Sequence, residues 1–140
     1  MAKFECIIPE NYDFDKTLKY FHDYLSTSSL SSSYEDGSDY RVGNMRVAVR
    51  VYEKYTILGE NRLSMTVTLA TNGTEIFASA ITAAGSGGFV KVWAWGEDGY
   101  LEHFIEAAKQ FEGMRPLTSW CMSFSQSEVA IDGIRKQRKE

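Results

Sequence analysis

Two alternating runs followed by an Asn-Gly dipeptide constrain this chain more than anything else in it. Met45, Val47, Val49 and Val51 alternate with Arg46, Ala48, Arg50 and Tyr52, the two-residue period of a strand with one face buried. Leu63, Met65, Val67 and Leu69 alternate with Arg62, Ser64, Thr66 and Thr68 in the next run. Asn72-Gly73 then supplies residues that tolerate the positive φ of a type I′ hairpin turn. A two-residue turn there predicts a register, with Thr71 opposite Thr74, Leu69 opposite Ile76, Val67 opposite Ala78 and Met65 opposite Ala80. These pairs and the valine row are the expected core face. Arg46, Arg50, Thr66, Thr68 and Phe77 are expected together on the other.

The flanking segments add helices and further strands. Lys3–Ile8 reads as a strand ended by Pro9, which cannot donate a ladder hydrogen bond. Asp13 is placed to cap a helix through about Ser26, where Phe14, Leu18, Phe21 and Leu25 fall on one stripe. Ser26–Ser33 fits either a loop or a twisted edge strand, with a strand continuing to Glu35 the favoured reading, and turn signals follow at Asp36-Gly37 and Gly43-Asn44. The glycine-rich Ala83–Gly88 reads as a flexible turn and Phe89–Trp95 as a strand. Glu97 and Asp98 suit the start of a second helix whose stripe is Tyr100, Leu101, Phe104, Ile105, Ala108 and Phe111. The expected fold is α+β: an antiparallel sheet of five to six strands with two helices on one face. A helix-grip arrangement and a plain two-layer sandwich share this order of elements.

At 140 residues, with 44% hydrophobic and 24% charged side chains, the chain is sized for one core. We divide it into a single domain over 1–112 and a C-terminal extension over 113–140, docked or partly disordered. Trp120 and Phe124 in that extension are expected to dock on the domain or on a second copy, because free large apolar side chains invite association. Leu117–Ser125 is a candidate further strand. A net charge of −4 gives no electrostatic reason to expect nucleic acid or an anionic membrane. The basic cluster Arg135, Lys136, Arg138 and Lys139 reads as a solvated tail. No apolar run nears the ~18 residues needed to span a bilayer. Cys6 and Cys121, without CxxC spacing or a leader, fit reduced thiols in the cytoplasm.

Few residues carry chemistry. His22 and His103 lie on helices beside acids, and His103 with Glu106 has metal-compatible spacing, but two lone histidines without paired cysteines read as solvated residues, so neither a metal nor another cofactor is expected. Neither cysteine has a neighbouring cation to activate it. Arg46 and Arg50 project side by side ~7 Å apart on one strand face, a spacing that can clamp a carboxylate or phosphate, with Tyr52 continuing the row. Glu53 shares the valine face, where a lone carboxylate is costly. It is either a pocket carboxylate or a strand-end residue paired with Arg62. Arg46, Arg50, Tyr52 and Glu53 are thus the candidate ligand residues.

Met1–Glu5, Val47–Tyr55, Ser79–Thr82 before the glycine-rich turn, and Gly96-Glu97 before the second helix together resemble a small bacterial family catalogued as domain of unknown function 6054. The likeness covers roughly residues 1–111, and the segment from Gly113 departs from it. The resemblance implies a compact cytosolic bacterial protein and carries over no catalytic residue. Three readings follow: a non-catalytic domain binding a small anionic or amphipathic ligand or a protein partner; a homo-oligomeric interaction module; and an enzyme using Glu53.

Overall fold

A computed structural model describes residues 1–27, 32–55, 62–85 and 94–118. The elements run β1 (Ala2–Ile8), α1 (Phe14–Thr27), β2 (Ser32–Val42), β3 (Met45–Tyr55), β4 (Arg62–Thr71), β5 (Ile76–Gly85), α2 (Ala94–Lys109) and β6 (Arg115–Pro116). The strands form one open antiparallel sheet in the order β2-β3-β4-β5-β1-β6. The fold is α+β, with both helices against one face.

Local chemistry explains α1. The Asp13 carboxylate accepts from the Lys16 amide at 2.9 Å, satisfying a donor that the first turn leaves free. Phe14, Thr17, Phe21 and Leu25 then point inward. Phe21 stacks between Phe104 at 4.9 Å and Phe111 at 5.5 Å, and Phe4 meets the edge of Phe104 from below. These rings fill the layer between β1, α1 and α2. Tyr12 closes one end, its hydroxyl accepting from the Glu112 amide at 2.8 Å.

The core face differs from expectation in one decisive respect. Arg46 pairs with Thr71, Ala48 with Leu69, Arg50 with Val67 and Tyr52 with Met65. The Arg46–Tyr52 row therefore shares the helix-covered face with Leu63, Met65, Val67 and Leu69. Val47, Val49 and Val51 lie on the opposite, open face with Thr66, Thr68 and Phe77. This reverses the sequence-based assignment. Ala48 and Tyr52 are buried at 1% exposure, whereas all three valines remain half-buried. The arginines are accommodated because their stems cover apolar surface and their heads reach the rim.

The hairpin register also differs. Thr71 pairs with Ile76, Leu69 with Ala78 and Val67 with Ala80, so the loop comprises residues 72–75 rather than Asn72-Gly73 alone. The Thr71 hydroxyl donates to the Glu75 carbonyl at 2.8 Å and accepts from the Gly73 amide, which stabilises the wider loop. A slip of two residues leaves the faces of β4 and β5 unchanged. The two-residue connection is Gly43-Asn44, between paired Val42 and Met45, with Gly43 at φ 55°. Asp36-Gly37 is no turn. It lies inside β2, next to a bulge between Tyr34 and Asp36. Of the strand expected over Phe89–Trp95, Ala94 and Trp95 belong to α2, and the remainder lies outside the described residues. Leu117–Ser125 also lies mostly outside them.

Candidate functional site

The four candidate residues separate into distinct surroundings. Arg46 reaches Asp15 at the start of α1 at 2.7 Å, with its guanidinium 4.4 Å above the Phe14 ring. Arg50 turns to the β2 edge, contacting Asp39 at 3.0 Å and donating to the Val49 carbonyl at 2.8 Å. The two cations thus share a strand face but address different carboxylates. Glu53 is on the open face, 3.7 Å from Arg62, whose other guanidinium nitrogen donates to the Tyr55 hydroxyl at 2.6 Å.

Tyr52 belongs to a compact aromatic group. Its hydroxyl lies 3.0 Å from His22 Nδ1, and its ring sits 5.8 Å from those of His22 and Tyr34. Burial pushes its ionisation well above that of an ordinary phenol, against a smaller opposing effect of Arg50. Gly37 permits the group to form, since a Cβ there would stand 2.7 Å from the Tyr34 hydroxyl and 3.0 Å from Arg50 Cδ. Farther along β3, Lys54 lies 5.8 Å from the centre of the Tyr100 ring. Tyr34 and His22 were not singled out together by sequence; β2 and α1 meet only through the fold.

Cys6 is buried and free, and desolvation pushes its thiol up to about 12. A neutral, inaccessible thiol is a poor nucleophile. Among the described residues no group of three or more His, Cys, Asp or Glu is arranged to hold a metal. None of their helices is long and apolar enough to cross a membrane.

The open face presents the other notable surface. Register aligns Ile7 with Phe77, Phe77 with Ala70, Ala70 with Val47, and Val47 with Tyr40, one apolar row crossing five strands. The first four side chains are half-buried, and Tyr40 is exposed at the edge. Ile7, Phe77, Ala70 and Val47 border an open depression of about 250 Å³ that Met45, Thr71 and Glu75 also line. The adjacent rows are Glu5, Ser79, Thr68 and Val49, then Lys3, Ile81, Thr66 and Val51. Both helices occupy the reverse side, so no described element lies over these rows. The alternation of residues 45–52 revealed that two faces exist, but carried no label for the uncovered one.

A search of curated proteins gives no significant match. Residues 1–112 match the sequence model of a family of unknown function, DUF6054, which spans β1 through α2 and stops before β6. The chain belongs to that family.

Proposed function

We propose that the domain is a non-catalytic binding module whose recognition surface is the open sheet face, taking a polypeptide partner through large apolar side chains. The observation that carries this reading is the Ile7–Phe77–Ala70–Val47 row and its depression. A volume of about 250 Å³ falls below the ~300–1,000 Å³ usual for enclosed small-molecule sites. It suits one or two inserted side chains of a partner, with surrounding Thr66, Thr68 and Ser79 able to take polar contacts.

Binding a small anion through Arg46, Arg50, Tyr52 and Glu53 has weaker support, because each cation is already neutralised by a different carboxylate. Catalysis by Glu53 is likewise less favoured, given its Arg62 partner. A second copy is one polypeptide that the open face could accept, so homo-oligomerisation belongs to the same reading. A cytosolic location is part of the proposal, supported by the free thiol of Cys6.

Selection of short random peptides displayed on phage tests the surface. Peptides enriched on the protein should carry Trp or Phe and lose at least ten-fold in affinity for folded Val49→Glu or Thr68→Lys variants. Enriched peptides that bind all three proteins equally would remove the open face as the recognition surface.

A further inference from the structure

Resting on the open face as a docking surface, we infer that its occupant is this chain's own C-terminal segment, anchored by Trp120 and Phe124. The exit point of the chain motivates the assignment. β6 pairs with the outer edge of β1, Cys6 opposite Pro116 and Ile7 opposite Arg115. Past β6 the Leu117 amide donates to the Glu5 carbonyl at 2.8 Å, and the Thr118 hydroxyl accepts from the Glu5 amide at 3.2 Å. Leu117 and Thr118 are thus tied to Glu5, whose side chain faces the open side with Ser79.

The sequence that follows suits that surface. Trp120, Met122 and Phe124 alternate with Cys121, Ser123 and Ser125, a two-residue period that sorts apolar from small or polar side chains wherever a backbone is extended. At ~3.3 Å per extended residue and ~4.8 Å between strands, Trp120 can reach over β1 and β5, while Phe124 can reach β3, ~14 Å from β1. The apolar side chains awaiting cover there are Ile81, which is 38% exposed, and Val47, Val49 and Val51.

Tethering favours this occupant over a second copy. Covalent attachment a few residues away raises the effective concentration of the segment to the order of mM, whereas a separate chain loses translational freedom on binding. The family match ends at Glu112, so both the β6 tether and the anchors lie outside the matched span. Other polypeptides would then have to displace the segment to reach the face.

Thiol reactivity tests the assignment in the full chain. Thr68→Cys places a reporter in the centre of the open face, in a Cys121→Ser background where Cys6 is buried. Its reaction with Ellman's reagent should accelerate at least ten-fold when Trp120→Ser and Phe124→Ser are added. Trp120→Phe should retain protection, and a Thr74→Cys reporter on the exposed hairpin should be unaffected by any tail change. Protection should not depend on protein concentration. A Thr68→Cys rate unchanged by the double replacement would overturn the inference. Protection that weakens on dilution would also overturn it, assigning the face to a second copy while leaving the interaction-surface reading intact. Peptide selection repeated on the Trp120→Ser/Phe124→Ser protein tests that reading separately.

Discussion

Asp15, on the first turn of α1, sits 2.7 Å from the guanidinium of Arg46 on β3 and links the helix layer to the sheet. The hydrogen bond from Arg46 holds its carboxyl below the usual carboxylate range, outweighing slight desolvation, and Arg41 adds a smaller attraction. Arg41 and Arg46 face each other across β2 and β3, so Asp15 also relieves a like-charge pair. A depressed folded-state value means the stabilisation is fully present above the unfolded-state value of about 3.9 and is lost as pH falls through the folded-state value. The Asp15 side chain is 71% exposed, and solvent screening holds the expected loss in Asp15→Asn to ~1 kcal/mol or less. Urea denaturation should show this difference at pH 7 and its disappearance in strong acid. A difference persisting in acid would assign the effect to something other than the ion pair.

Gly37 should be intolerant of even one methyl group, for reasons of space rather than φ. Its absent Cβ would meet the Val49 carbonyl oxygen at 2.8 Å as well as the Tyr34 hydroxyl at 2.7 Å. The hydroxyl can swing away but the backbone cannot. Gly37→Ala should cost ~1–3 kcal/mol in chemical denaturation, typical of overpacking. Adding Tyr34→Phe should recover only part of that loss. Full recovery would identify the tyrosine, not the strand backbone, as the obstacle.

These contacts show which parts of the molecule were legible in the sequence. The Asp13 cap and the Phe14, Phe21 and Leu25 stripe depend on spacing within one segment, so local chemistry sufficed. The covered face of β3 depends on whether Arg46 opposes an odd or an even residue of β4, and that parity follows from the connection between the strands. Valine and arginine did not decide it: a half-open sheet face accepts β-branched side chains, while Arg46 covers Phe14 and still reaches Asp15. The candidate row was found, but its carboxylate partners came from α1 and β2, elements that only tertiary folding brings near. The Asn72-Gly73 signal located the hairpin and missed its length, because side-chain bonds from Thr71 and Asn72 support a longer loop.

The two positive-φ hairpin glycines should respond differently to substitution. Gly43 has φ 55° and open space around its missing Cβ, whereas Gly73 has φ 102° and would bring a Cβ to 3.0 Å from Asn44 Cβ. Asparagine populates the left-handed region near φ +57° at little cost. Gly43→Asn should therefore change stability by less than ~0.5 kcal/mol, while Gly73→Ala should cost ~1–3 kcal/mol for its strained backbone. Equal thermal-denaturation midpoints for the two variants would contradict this ordering.

Alkaline conditions should weaken the fold through Cys6 and three tyrosines whose hydroxyls folding desolvates. Burial pushes the Cys6 thiol up to about 12, and desolvation likewise raises Tyr20, Tyr52 and Tyr100 above an ordinary phenol. Each group ionises more readily in the unfolded chain, where a thiol titrates near 8.5 and a phenol near 10. Their stabilisation is thus present below those unfolded-state values and declines as pH rises through the folded-state values. Guanidinium denaturation should give a falling midpoint from about pH 8.5 upward. Cys6→Ala would leave a cavity and lower stability at neutral pH, yet should flatten the first part of the alkaline decline. An unchanged slope between about pH 8.5 and 10 in that variant would exclude Cys6 as its source.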